Sequence, residues 1–388
     1  MHENRKGGTL LDPTSLKQAA VYKVGWANFG SAPMDEGLER LVWSLGNEAD
    51  LTVKQLDSAR DMIVGTLAHR LKIENFLAQN PIVLDEVIRA PLFVISLPRT
   101  GSTATSQFLA EDPNARSLRR WESQDVIPPP DVRDGDADPR IAKMQAQFEE
   151  LYRQQPERRG MLPVDAQDPS EHGPLLALTF QNLQMPSLFN IPTYAKWAIG
   201  SDLRPAYAYL KKVLQVLQWK TPAPHWNLKN PPDIFGLSAL AKVFPDARLL
   251  WIHRDPCKSI PSVCSLTAMV RTNLGEMVDR SAMGAMQTDF QSTGAQIAMA
   301  AEDALTTNRI VHVFQRDLVG DTVGTIEAIY RKLGLEFSEA YRAHLSARVK
   351  SREKPSHSYR MEDFGLDVTS IRHKFMFYTD RYSVPLEL

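Results

Sequence analysis

With only two cysteines in 388 residues, Cys257 and Cys264, this chain has no disulfide framework. They stand seven positions apart in a helically patterned stretch, where a rise of ~1.5 Å per residue keeps them beyond bridging distance. No apolar run approaches the ~18 residues of a membrane span, and the basic residues between Met1 and Pro13 have no apolar segment behind them. A cytoplasmic protein without a membrane span is expected. The 45 Lys and Arg nearly cancel the 46 Asp and Glu, for a formal net charge of -1. Long-range attraction to nucleic acid or to an anionic membrane therefore has no electrostatic basis, and any phosphate binding must be local. The nine histidines show neither HExxH nor Cys/His ligand spacing, so no metal is expected. Internal repeats and low-complexity tracts are missing as well.

What is present is material for a large core, since 43% of the residues are hydrophobic and 8% aromatic. From Pro13 to about Asn80 apolar residues recur at helical spacing, as in Leu38, Leu41, Val42 and Leu45 and again in Leu67, Leu71 and Phe76. Residues 1–88 are read as a helical extension packed on the core. At Pro91 the texture changes to a short continuous run, Leu92-Phe93-Val94-Ile95-Ser96-Leu97, the pattern of a buried parallel strand. Arg248 to His253 and Arg309 to Phe314 share that character, and Trp226-Asn227-Leu228 is a shorter fourth candidate. A helical pattern at Pro232 to Phe244 lies between two of them, and another at Thr325 to Leu333 follows the last. Strand alternating with helix predicts an α/β fold: a doubly wound parallel sheet flanked by helices over 89–388. The turn-rich segment from Asp112 to Gly200 interrupts the alternation and reads as a helical insertion that shapes an acceptor pocket.

After the first strand comes Pro98-Arg99-Thr100-Gly101-Ser102-Thr103, then a good helix start from Ala104 to Ala110. Strand, loop and helix in that order aim unpaired N–H groups and a positive helix end at the loop, and Gly101 permits close approach of an anion. Ser102 and Thr103 add hydroxyls, and Arg99 adds a forked charge. The ATP-binding form GxxxxGK[ST] is not met, because Ser96 stands at its first glycine and Ser102 follows Gly101.

The loop Pro98 to Thr103 resembles the 5′-phosphosulfate loop of sulfotransferases that use 3′-phosphoadenosine 5′-phosphosulfate (PAPS), a P-loop-like α/β family. Arg254-Asp255-Pro256 after a buried strand, with Ser262 eight positions beyond Arg254, is similar to that family's 3′-phosphate site. An arginine at a strand end and a hydroxyl on the following helix can converge on one phosphate. Pro261 argues that this helix begins near Ile260 to Pro261, with Ser262 in its first turn. The stretch from Leu228-Lys229-Asn230-Pro231-Pro232-Asp233 to Phe244-Pro245-Asp246-Ala247 resembles tyrosylprotein and bacterial sulfotransferases, and Lys354 to Tyr359 with Glu362 to Leu366 resembles a closing segment of the bacterial branch.

The resemblance implies sulfuryl transfer from PAPS to a small alcohol or phenol acceptor, with no metal required. Arg99, Thr100, Gly101, Ser102, Thr103, Arg254 and Ser262 would bind the donor, and Arg99 and Lys229 would supply charge to the transition state. For the general base two residues stand open: Glu122 in Arg119-Arg120-Trp121-Glu122, where the tyrosylprotein enzymes place a glutamate, and His172 in Ser170-Glu171-His172. Leu183, Met185, Phe189, Tyr194 and Trp197, with Met269, Met277, Met283 and Met286, make the region around the acceptor apolar and point to a hydrophobic substrate. A P-loop kinase or another nucleotide-dependent phosphotransferase, with Asp255 on a magnesium ion, and a silent nucleotide-binding scaffold are the alternatives. Oligomeric state is not legible from these patterns.

Overall fold

The computed structural model describes residues 11–155, 164–305, 309–351 and 359–387. Five parallel strands, β1 (Leu92–Ser96), β2 (Ala115–Ser117), β3 (His225–Lys229), β4 (Arg248–His253) and β5 (Ile310–Phe314), form one sheet in the order β2-β3-β1-β4-β5. Four were expected. The fifth, β2, pairs with β3 through Ala115 opposite His225 and Ser117 opposite Asn227. It lies at the start of the segment read as an insertion, so the first residues of that segment extend the sheet at its edge.

Side chains on a strand alternate between faces, and both faces of this sheet are covered. Leu92, Val94, Leu250 and Ile252 pack with Phe108, Tyr330 and Tyr341. Phe93, Ile95, Leu249 and Trp251 face the other way and share one continuous core with Leu16, Leu38, Leu67 and Phe375. The helices before the sheet, Pro13–Val24, Asp35–Asn47 and Val53–Gln79, thus bury their apolar stripes against the sheet's own core. Helix Val53–Gln79 starts with a capping box between Thr52 and Gln55, which satisfies two of its first amide groups. Among the described residues no helix is long and apolar enough to cross a membrane.

Two sequence expectations change. The helix after β4 runs from Pro256 to Asn273, with Pro261 inside it. Asp255 accepts the Cys257 N–H at 2.8 Å and Pro256 occupies the first helical position, so a complete start signal precedes Pro261, which removes a single bond to the Cys257 carbonyl. The apolar residues expected around an acceptor are mostly core: Leu183, Met185, Phe189, Tyr194 and Met283 are buried. Tyr194 donates to the Phe180 carbonyl at 2.7 Å, and Trp197 donates to Glu36 of the extension at 3.0 Å.

Arg70 ties the extension to the rest of the chain. It is fully buried and donates to the carbonyls of Phe29 (2.7 Å), Ala32 (2.6 Å) and Leu178 (2.8 Å), with its guanidinium 4.6 Å from the Tyr209 ring centre. Arg70→Met leaves three carbonyls without their donors and is expected to destabilise the fold by ~3–5 kcal/mol. Urea unfolding checks this, and a loss below ~1 kcal/mol would show that water replaces the guanidinium.

Candidate active site

All five strands run the same way, so their carboxyl ends share one rim, where open α/β sheets bind ligands. A cavity of about 580 Å³ opens there, lined by Arg99, Gly101, Ser102 and Thr103 after β1, Arg120 after β2, Lys229 after β3 and Arg254 after β4. Gln315 closes it after β5. The size falls within the ~300–1,000 Å³ of ligand pockets.

The turn after β1 is wound tightly. Arg99 (φ 65°) and Gly101 (φ 91°) both occupy the left-handed region, which is costly for a residue with a Cβ and marks a backbone held by its surroundings. Buried Thr100 between them donates its hydroxyl to the Leu97 carbonyl at 2.9 Å. A Cβ on Gly101 would stand 3.3 Å from Cγ of Gln315, on top of the backbone penalty. Helix Ser102–Leu109 begins at Gly101, and among the described residues no side chain caps it, so its first N–H groups can face an anion. The residues fit a phosphorylated donor.

Arg99 connects the loop to β4 and its helix. Its Nε donates to Oγ of Ser262 at 3.1 Å, while Nη1 of Arg254 donates to its carbonyl, also at 3.1 Å. Arg254 and Ser262 are thereby gathered on opposite ends of one residue. Burial lowers the Arg99 pKa, Tyr359 raises it and Arg254 lowers it, yet an arginine stays protonated at neutral pH. Tyr359 itself donates to the Lys258 carbonyl at 2.9 Å. Lys354 to Ser358, the rest of the first half of the expected closing segment, lie outside the described residues.

At the end of β3, Lys229 is only 4% exposed and donates from Nζ to Oε1 of Glu171 at 2.7 Å. Backbone geometry makes the pair, because the His172 N–H donates to the Lys229 carbonyl at 3.3 Å and carries Glu171 alongside. The Gln184 amide bonds the other Glu171 oxygen and the Asn230 side chain. Glu171 lines the cavity with Lys229. The only local mark of Glu171 in the sequence is its place beside the candidate base His172 in the run Ser170-Glu171-His172.

The two residues first considered as the base do not line this cavity. Glu122 is 3% exposed, takes Nη2 of Arg116 at 2.6 Å on one oxygen and the Arg119 N–H at 2.8 Å on the other, and closes a capping box on helix Arg120–Gln124. His172 is fully buried, with Nε2 3.0 Å from Asp233, which also accepts from Tyr207 and Asn230 at 2.9 Å each. Asp255 is buried too, and its two oxygens accept the Cys257 and Glu387 N–H groups.

The sulfotransferase family profile matches residues 91–339, more than half of the chain. The chain belongs to the sulfotransferase family. As a whole fold it is similar to the crystal structures of two mycobacterial sulfotransferases. STF9 from Mycobacterium avium gives a TM-score of 0.90 at 27% identity, covering 97% of this chain and 98% of that one. STF1 from Mycobacterium tuberculosis H37Rv gives 0.85 at 28% identity, covering 93% and 97%. Over 117 residues the sequence is 27% identical to the omega-hydroxy-beta-dihydromenaquinone-9 sulfotransferase Stf3 of Mycobacterium bovis and to that of Mycobacterium tuberculosis. That match spans 29% of this sulfotransferase and 30% of those relatives.

With both oxygens of Glu122 paired away from the cavity, Glu122→Gln should act on stability. Its loss leaves Arg116 buried without its carboxylate, a cost of ~3–5 kcal/mol, while turnover of the folded fraction stays within about threefold of wild type. Thermal melting and kcat of the same preparation separate the two effects; unchanged melting with a hundredfold lower kcat would instead put Glu122 in the chemistry.

Proposed function

We propose that this sulfotransferase moves the sulfuryl group of PAPS to the hydroxyl of a hydrophobic small molecule. The observation that carries the reading is the meeting of Lys229 and Glu171 at 2.7 Å in the cavity rimmed by the Arg99 to Thr103 loop. PAPS supplies an activated sulfuryl group and a phosphate leaving group. The uncapped N–H groups of helix Ser102–Leu109, with Arg99, hold the phosphosulfate, and Arg254 and Ser262 hold the 3′-phosphate.

Glu171 accepts the proton of the acceptor hydroxyl as its oxygen forms the new bond to sulfur. Lys229 donates to the bridging oxygen as the bond from sulfur to that oxygen breaks and charge passes to the departing phosphate. The proton leaves on Glu171, and the negative charge leaves on 3′,5′-adenosine bisphosphate. The left-handed turn at Arg99 and Gly101 fixes the direction of the loop N–H groups before charge develops.

A hydrophobic acceptor is supported by two features. Leu266, Val164, Pro169 and Pro174 put apolar surface beside Glu171 in the same cavity. A second cavity of about 410 Å³, lined by Pro186, Ile191, Ile199, Met286 and Phe290, begins two residues beyond Gln184, which lines the first. The relatives named for a hydroxylated dihydromenaquinone act on a compound of that class. No observation favours the kinase reading, since both oxygens of Asp255 are taken by backbone N–H groups. A cytoplasmic location agrees with the buried free thiols of Cys257 and Cys264.

Sulfuryl transfer from PAPS to a series of long-chain alcohols and alkylphenols tests the reading. Wild type is expected to sulfate the more apolar members, and Glu171→Gln and Lys229→Ala should each lower kcat by ~100-fold or more, with bisphosphate affinity within about threefold. Turnover undiminished in both variants would remove this pair from the chemistry.

A further inference from the structure

The guanidinium of Arg254 is already occupied. Its Nε and Nη2 donate to the two carboxylate oxygens of Glu387 at 3.0 and 3.1 Å, and its Nη1 donates to the Arg99 carbonyl at 3.1 Å. The edge formed by Nε and Nη2 is the planar fork that a carboxylate or a phosphate takes with two parallel hydrogen bonds. Glu387 therefore fills the edge of Arg254 that a nucleotide phosphate would use. We propose that Glu387 is a resident stand-in for the 3′-phosphate, displaced from Arg254 when the donor binds and returning to it when 3′,5′-adenosine bisphosphate leaves. This rests on the donor site described above.

The surroundings suit a carboxylate that exchanges. Arg254 and Glu387 are 23% and 31% exposed at their side chains, and a pair in contact with solvent is weakly held. A phosphate monoester carries close to two charges at neutral pH and three acceptor oxygens against one charge and two oxygens on Glu387, so it displaces the carboxylate. The backbone has separate anchors. The Glu387 N–H donates to Oδ2 of Asp255 at 2.7 Å, the Val384 N–H donates to the Thr379 carbonyl at 2.9 Å, and the Val384 side chain is buried in the core. The Glu387 side chain can swing away by rotation about its own bonds while the segment stays docked, and its tether keeps its effective concentration beside Arg254 high.

An internal competitor weakens the product complex as much as the donor complex. Tethered beside Arg254, the carboxylate takes the guanidinium back while the 3′-phosphate is still parting from it, so bisphosphate release is the step it hastens, and product release limits turnover in many enzymes. Glu387 acts on a nucleotide only through its 3′-phosphate. Adenosine 5′-monophosphate, which lacks that group, is outside its influence.

Titration calorimetry of the full chain with 3′,5′-adenosine bisphosphate and with adenosine 5′-monophosphate, for wild type, Glu387→Gln and Glu387→Ala, tests the inference. Both variants are expected to bind the bisphosphate about tenfold more tightly and to release it correspondingly more slowly in stopped flow, with monophosphate affinity within twofold of wild type. Wild-type bisphosphate affinity in both variants would overturn the stand-in. An equal gain for the monophosphate would overturn it too, since Glu387 would then act on the whole cavity rather than on Arg254. If neither wild type nor variants bind the bisphosphate while all bind the monophosphate, the 3′-phosphate site itself is refuted, and the inference goes with it.

Discussion

The turn between β1 and helix Ser102–Leu109 is the constraint on which the site depends. Two residues in the left-handed region, Arg99 and Gly101, bracket a buried threonine whose hydroxyl is bonded back to Leu97. Relaxing either would swing the helix start away from the strand end and scatter the N–H groups that face the cavity. The surroundings hold the turn from both sides: Arg254 grips the Arg99 carbonyl and Ser262 receives its Nε, while Gln315 crowds Gly101. The candidate binding loop thus also ties three strand ends together.

Sheet order turns this local device into an ordered cavity. Passing from β2 through β3, β1 and β4 to β5, the rim presents Arg120, Lys229, Arg99, Arg254 and Gln315. Parallel strands ~4.8 Å apart space these groups along a ligand. The candidate 3′-phosphate group, Arg254, and the candidate catalytic pair at Lys229 consequently lie on opposite sides of β1. These cations are local in a chain whose net charge is -1, so the proposed anionic donor would be attracted by the rim and not by the whole surface.

Much of the fold was legible because a parallel sheet covered on both faces writes itself as unbroken apolar runs, as β1 and β4 do. β2 is three residues long with arginine at its centre, and no period can be read from three residues. The helix start at Pro256 was hidden by Pro261, whose cost in the second turn the Asp255 cap offsets. At the site, the loop and both arginines stood out by local pattern. Glu171 did not, since its partner Lys229 lies 58 positions away and only the fold supplies the backbone bond that joins them. Glu122 had the right neighbours in sequence, but its oxygens turn toward Arg116 and the Arg119 amide. Glu387 had no local signal at all, being 133 positions from Arg254.

The melting temperature of the purified chain with 3′,5′-adenosine bisphosphate, set against ATP with magnesium, bears most directly on the donor site. Ligand at ~100 times its dissociation constant stabilises the native state by ~2.7 kcal/mol, a shift of several degrees. A site built around Arg99, Arg254 and the uncapped helix start predicts that the bisphosphate raises the midpoint and that ATP with magnesium raises it little. A rise with ATP and magnesium alone would contradict a PAPS site.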